Sequence, residues 1–400
     1  MTEALPLTLG TAGHIDHGKT ALIRALTGRD TDRLPEEKAR GISIALGYAR
    51  LELPSGRALS VVDVPGHERF VRTMVAGATG IDCYLLCVAA DDGVMPQTRE
   101  HLAVLRGLGV EAGVVAVTKA DLADPSRALS EARELVGDVE AVAVSARTGE
   151  GLDELLAALD RVAAAVASRA ERAGPAVLHV DRSFTLRGIG TVVTGTLWSG
   201  AVAAGDEVRI LPRGLEARVR SVQVHDAPVG RALAGQRVAL ALAGPSWREI
   251  ARGDVVCAPD AELEPTYRID ARLELEPGLP PLERGTRVQV HHGTREAPAR
   301  VVPLGEGFAQ LRLEAPLVPR AGDRVVLRRI APPDTLGGGT VVDAAPRRHG
   351  PSAEVVARLR ALERGEAPPE PQAPAAAPEP PRPAPELDEA ALRIAALLRA

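Results

Sequence analysis

The sequence predicts an α/β domain with a mostly parallel sheet, then two small antiparallel β-barrels, then a partial helical segment. Three observations predict this. Residues 1 to 172 alternate short apolar runs with helical patterns, as a parallel sheet covered on both faces requires. Past Gly174-Pro175 the pattern becomes short β-branched runs broken by Gly and Pro, as in barrels. Hydrophobic residues make up 45% of the chain and aromatic ones only 2%, so Val, Leu, Ile and Ala must fill the cores. At 400 residues the chain is too long for one ordinary domain.

The elements follow in order. Residues 5–9, 59–62, 83–88, 114–117 and 141–144 read as buried strands, and 20–27, 97–108 and 152–167 as helices. Together they form a first domain over 1–172. Runs at 191–197, 207–211, 217–224 and 238–242 are barrel strands. The linker-like stretch Pro259 to Glu264 divides a first barrel, 175–262, from a second, 265–345. In the remainder, 346–400, residues 352–364 read as a short helix with Ser352 as its N-cap. A Pro-, Ala- and Glu-rich linker follows over 366–386. Leu392, Ala395, Ala396 and Arg399 then fall at helical spacing, which predicts the first helix of a further module.

Composition narrows the function. The net charge of −5 excludes a generally basic nucleic-acid binder, so RNA contact must come from a local patch. Cys83, Cys87 and Cys257 have neither disulfide nor metal spacing, which suits a reducing cytoplasm. No apolar run approaches the length of a membrane span, and a monomer is expected.

Gly13-His14-Ile15-Asp16-His17-Gly18-Lys19-Thr20 fits G-x-x-x-x-G-K-[ST] between a predicted strand and a predicted helix. Such a loop wraps phosphates in backbone N–H groups at a helix N-terminus. Lys19 would reach the β and γ phosphates, and the Thr20 hydroxyl would ligate magnesium. Asp63-Val64-Pro65-Gly66 follows the next clear strand. Asp63 can hold magnesium through water, and Gly66 can offer its N–H to a γ phosphate. Thr118-Lys119-Ala120-Asp121 ends another strand, where a carboxylate can accept two hydrogen bonds from guanine that adenine cannot supply. Backbone N–H groups of Ser145-Ala146-Arg147 could reach the guanine oxygen. Each tetrapeptide alone is an ordinary turn. In this order, at strand C-terminal edges, they mark the ligand edge of an open α/β sheet. GTP or GDP with Mg2+ is the expected cofactor set.

These motifs, with Arg40-Gly41-Ile42-Ser43-Ile44 and His67-Glu68 after Pro65-Gly66, resemble the G domain of the translational GTPases. The resemblance implies that Ser43, where the family has threonine, ligates magnesium. It implies that His67 orients the attacking water, and that Ile15 and Ile42 gate this histidine. Elongation factor Tu and its relatives usually carry Asn at Thr118. Thr-Lys-Ala-Asp is instead similar to the selenocysteine-specific elongation factors, as are Thr31 to Lys38, Asp92 to His101, Asp181 to Thr185, Gly190 to Thr196, His291 to Thr294 and Leu336 to Gly339. The resemblance covers residues 5–348. It implies a GTPase that delivers selenocysteyl-tRNA to the ribosome, and that recognises a messenger-RNA hairpin through a module absent from this chain. A selenol is a far stronger acid than a thiol, so selective recognition needs fixed positive charge. The family's pocket of one Asp and two basic residues maps to Asp181, Arg182 and Arg237.

Alternatives share the fold. They are a general aminoacyl-tRNA or initiator-tRNA carrier, a GTPase subunit of sulfate adenylylation, and an RNA-tethering adaptor with weak GTPase activity. Thr118 and the arginine pair speak against the first. His17 and Thr20 speak against the second. Lys19, Asp63 and His67 speak against the third. Outside these motifs, His101 reads as a surface residue, Trp198 and Trp247 as barrel packing, and Cys83 and Cys87 as core.

Overall fold

The structure, a computed structural model, describes residues 5–32, 35–40, 43–67, 70–171 and 174–367. The first domain runs β1 (Leu7–Gly13), α1 (Lys19–Thr27), α2 (Pro35–Arg40), β2 (Gly47–Glu52), β3 (Ala58–Asp63), α3 (Val71–Ala78), β4 (Cys83–Ala89), α4 (Pro96–Gly107), β5 (Gly113–Thr118), α5 (Ser126–Val136), β6 (Ala141–Ala143) and α6 (Leu152–Ala165). Its sheet has the order β2-β3-β1-β4-β5-β6. Only β2 runs antiparallel to its neighbour. β1, β4 and β5 are buried along their whole length because helices cover both faces. Leu22 and Ile23 of α1 and Leu155 and Leu159 of α6 seal one face, and Met74 and Val75 of α3 and Val104 and Leu105 of α4 the other. Cys83 and Cys87 lie in this core.

The second domain comprises β7 (Val177–Leu186), β8 (Gly190–Ser199), β9 (Ala201–Ala203), β10 (Glu207–Leu211), β11 (Leu215–Val224), β12 (Ala227–Val229), β13 (Arg231–Leu233), β14 (Arg237–Ala243) and β15 (Val255–Cys257), of which β9 and β13 form a separate two-stranded sheet and the others the first barrel. The order β10-β15-β7-β8-β14-β11 closes through a β10–β11 pairing, so no long edge is exposed. The second barrel comprises β16 (Thr266–Leu275), β17 (Arg287–His292), β18 (Arg295–Gly305), β19 (Phe308–Leu317), β20 (Arg324–Arg329) and β21 (Thr335–Asp343), closed in the order β16-β19-β18-β17-β20-β21. The helix α7 (Ala353–Glu363) starts at Ser352, whose Oγ accepts from Val355 N at 3.1 Å. It buries Leu359 against Val302, Leu304 and Phe308. The helical segment expected after residue 387 lies outside the described residues.

The second barrel docks on α4. Glu100 accepts from Thr335 Oγ1 at 2.7 Å and from Arg328 Nη2 at 3.1 Å. About two turns further along α4, Gly107 meets Gly338 of β21 backbone to backbone. A Cβ on Gly338 would overlap the Gly107 carbonyl. Trp198 lies where the domains meet rather than inside its barrel, with its ring 3.9 Å from that of His179 and the Arg169 guanidinium 5.7 Å away. Among the described residues no helix is long and apolar enough to cross a membrane.

Candidate functional site

The loop between β1 and α1 is shaped by two left-handed or extended glycine turns. Gly13 has φ 128°, and a Cβ there would overlap the Cys87 carbonyl. Gly18 has φ 74° and caps α1, turning the helix's first N–H groups toward an open cleft. Lys19 is 6% exposed. Its Nζ donates to the Gly13 carbonyl at 3.0 Å and the His14 carbonyl at 2.5 Å. Burial holds this ammonium below its ordinary pKa. Thr118 grips the same loop, its Oγ1 donating to the His17 carbonyl at 2.9 Å. His17 is fully buried and its Nδ1 accepts from Ala89 N at 3.2 Å. Burial lowers its pKa to about 4.

At the cleft's inner end several oxygens converge. Asp63, closing β3, accepts from Thr11 Oγ1 at 2.8 Å, Thr20 Oγ1 at 2.8 Å and Thr31 Oγ1 at 2.6 Å. Ser43 Oγ donates to Asp32 at 2.8 Å and lies 3.0 Å from Thr20 Oγ1. Each hydroxyl has one proton and a carboxylate to receive it. Thr20 and Ser43 are also within hydrogen-bond distance of one another, where either hydroxyl can donate, and with Asp32 and Asp63 they form a cluster of hard oxygens of the kind that fits magnesium. Gly66 closes on the loop so tightly that a Cβ would overlap Lys19 Nζ. His67, half-buried, lines the cleft beside it with Ile15. Ile42 lies outside the described residues.

The other end holds Lys119, Asp121, Ala146 and Arg147. The two ends share one cleft of about 1010 Å³, also lined by Asp16, Gly18, Lys19 and Thr20. Asp121 Oδ1 accepts from Ser145 Oγ at 2.6 Å and its Oδ2 from Arg147 Nε at 2.8 Å. These bonds, Ser145's foremost, hold the carboxyl below its ordinary pKa. Arg147 thus reaches Asp121 through its side chain, a contact that the backbone reading of Ser145-Ala146-Arg147 did not include. Lys119 Nζ pairs with Asp91 at 3.1 Å.

His101 is not a surface residue. It is fully buried beneath the loop, and its Nδ1 accepts from Gly13 N at 3.1 Å. Its polar neighbours Arg99 and Glu100 misled the reading, because on a helix they face other directions.

Asp181, Arg182 and Arg237 do come together on the first barrel, but their charges are engaged. Arg237 makes a bidentate pair with Asp181, one arm of it Nη2 to Oδ1 at 3.0 Å. Thr194 Oγ1 donates to the same Oδ1 at 2.7 Å. The Arg237 guanidinium stacks 3.3 Å from the ring centroid of Tyr48, a residue of β2 that sequence reasoning missed. Burial pushes the Tyr48 hydroxyl pKa up. Arg182 Nη2 donates to the Leu46 carbonyl at 2.7 Å. Arg182 also lines an open cleft of about 570 Å³ with Phe184, Trp247, Arg248 and Arg252.

Comparison with known proteins places this geometry. Residues 6–165 match the family model "Elongation factor Tu GTP binding domain", and residues 190–257 match "Elongation factor Tu domain 2". Residues 266–348 match "Selenocysteine-specific elongation factor, beta-barrel domain". The selenocysteine-specific elongation factor of Methanocaldococcus jannaschii is 31% identical over 379 residues, covering 85% of this chain and 80% of that protein.

The chain belongs to the selenocysteine-specific elongation factors.

The family member from Desulfomicrobium baculatum is 42% identical over 377 residues, which is 89% of this chain and 59% of the relative. The chain therefore spans somewhat more than half the length of that elongation factor. The crystal structure of a bacterial selenocysteine-specific elongation factor, EF-Sec, superposes with a TM-score of 0.82 at 34% identity, over 89% of this chain and 61% of that one. Two of the three domains are shared by model with elongation factor Tu. The match of the second barrel is to the selenocysteine-specific model.

Proposed function

We propose that this chain carries selenocysteyl-tRNA to the ribosome in the cytoplasm and uses GTP hydrolysis as its switch. The observation that carries the reading is the single cleft with a phosphate loop at one end and Asp121 at the other. Asp121 already accepts two hydrogen bonds at 2.6 and 2.8 Å. Guanine's N1 and exocyclic amine would take the place of the Arg147 contact and share the carboxylate with Ser145. Ser145, Ala146 and Arg147 then frame the base by backbone and side chain, and Lys119 covers it.

At the other end Gly13 to Thr20 enclose the β and γ phosphates. Lys19 exchanges its two carbonyl acceptors for phosphate oxygens, and Gly66 offers its N–H to the γ phosphate. Thr20 and Ser43 would hold magnesium directly, and Asp63 through water. Bound there, magnesium supplies positive charge to the phosphates as the terminal group departs. His67 orients the attacking water, held back by Ile15 and Ile42 until the ribosome engages. Arg182, which lines the open cleft, and Arg237, once its pair with Asp181 opens, would provide the positive charge that a selenolate requires.

Asp121→Asn tests the base assignment. The amide can donate to the oxygen that replaces guanine's amine in xanthosine triphosphate, so preference should move from GTP toward that nucleotide. A folded variant that keeps the wild-type GTP preference in competition binding would sink the assignment.

A further inference from the structure

The phosphate loop is held from outside by a helix that takes no part in the reading above. Gln97 and His101 stand one turn apart on α4, at i and i+4, on the face turned to the loop. Gln97 Oε1 accepts from Ile15 N at 3.0 Å, and His101 Nδ1 accepts from Gly13 N at 3.1 Å. We infer that Gln97 and His101 are positioning residues, which fix two peptide planes of the phosphate loop in the orientation that receives nucleotide.

The peptide between His14 and Ile15 is held at both ends. Its carbonyl accepts from Lys19 Nζ at 2.5 Å and its N–H donates to Gln97. Carbonyl and N–H point opposite ways in a trans peptide, so a flip of this plane would break both bonds. The inference rests on the nucleotide reading: when phosphate draws Lys19 away from the carbonyl, Gln97 is the hold that remains on this plane. At Gly13 the need is sharper. Gly13 has φ 128°, a region that does not fix a glycine by sterics alone. His101 supplies the missing constraint. It can do so only as the neutral ring with the proton on Nε2, since Nδ1 must accept. Complete burial of the ring, with Lys19 nearby, favours that form and lowers the pKa to about 3. His101 Nε2 has no hydrogen-bond partner among the described residues, so the ring's one bond is the one to Gly13.

The test measures dissociation of a fluorescent methylanthraniloyl-GTP from the whole chain by stopped flow, alongside the melting temperature without nucleotide. Gln97 is only half-buried, so water can take over the Ile15 N–H, and Gln97→Ala should lower the melting temperature only slightly. It should speed dissociation about five- to tenfold, the worth of one neutral hydrogen bond. His101→Leu keeps the bulk and loses the acceptor, and should speed dissociation similarly. His101→Asn places an oxygen near the Nδ1 position and should restore most of the wild-type rate, although it fills the core less well. A residue that only packs would give the reverse order, with Leu equal to or better than Asn. Wild-type dissociation in Gln97→Ala, or Asn no better than Leu at position 101, overturns the inference. If the His101 variants do not fold, Gln97→Ala decides alone. A folded wild-type chain that binds no analogue would instead overturn the nucleotide reading itself.

Discussion

Arg237→Ala should destabilise the first barrel by about 3–5 kcal/mol, the usual cost of removing one partner from a buried ion pair. The side chains of Arg237 and Asp181 are 14% and 7% exposed. Arg237 gives Asp181 two hydrogen bonds, gives Thr194 Oγ1 a third at 3.2 Å, and lies over the Tyr48 ring at 3.3 Å. Truncation leaves the Asp181 carboxylate with the Thr194 hydroxyl at 2.7 Å and the distant Tyr48 hydroxyl at 3.4 Å. The stacking contact is worth roughly 2 kcal/mol when desolvated, but it shares its origin with the pair and is not added to it. For a domain of 60–100 residues one kcal/mol moves the melting temperature by about 4–8 °C, so the loss should be at least roughly 12 °C. Calorimetry of the wild type, Arg237→Ala and the double variant Asp181→Leu/Arg237→Met would check this. The double variant should recover most of the loss, because apolar side chains of similar size replace a buried pair at little cost. A loss under about 1 kcal/mol, the range of exposed pairs, would refute the reasoning. So would a double variant no more stable than the single.

Three further outcomes follow from the geometry. His67→Ala should lower ribosome-stimulated GTP turnover by about 10²-fold while GTP affinity stays near wild type; unchanged stimulated turnover would reduce His67 to a turn residue. Arg182→Ala should remove most discrimination between selenocysteyl- and seryl-tRNA in a binding assay, as desolvated charge contacts are worth about 2–5 kcal/mol; it is a cleaner probe than Arg237 because its side chain holds the Leu46 carbonyl rather than a buried carboxylate. His101 and His291 have folded-state pKa values of about 3 against an ordinary 6.5, so the unfolded chain takes up protons first as pH falls. Their stabilisation is complete above pH 6.5 and should decline below it, by about 1.4 kcal/mol per pH unit for each histidine. Urea unfolding across this range checks the slope, and His101→Asn should remove one histidine's share.

The parts of the fold that could be read from sequence are those whose environment is uniform. β4 and β5 are buried on both sides, so Cys83 to Ala89 and Val114 to Val117 read as unbroken apolar runs. β2 lies at the sheet's edge and alternates buried with exposed residues, including Arg50 and Glu52, so no apolar run marks it. α3 is only eight residues long and its polar side is limited to Arg72 and Thr73, too short a pattern to establish a helical period. In the cleft, Lys19, Asp63 and Asp121 were legible because phosphate loops and strand-end acids are local patterns. The hydrogen bond from Gly13 to His101 joins residues 88 apart, and the stacking of Arg237 on Tyr48 joins two domains. No periodicity within either segment encodes such meetings. The spacing of Gln97 and His101 was visible, but its meaning depended on knowing what lay across from that face.

The meeting of Gly107 and Gly338 has a consequence for how this protein can vary. Most surfaces between domains are cushioned by side chains, which can be exchanged for others of different length while the gap adjusts. Here main chain rests on main chain, and the separation is set by atoms that every residue shares. A single carbon added at Gly338 acts as a shim: it cannot be absorbed by a rotamer change, and it lifts the whole barrel, drawing Thr335 and Arg328 away from Glu100. The two sides of the joint are unequal: a Cβ at Gly107 would stand 3.2 Å from the Gly337 carbonyl and asks for a small adjustment, while one at Gly338 would overlap the Gly107 backbone and should loosen the seating of the barrel without disturbing its interior.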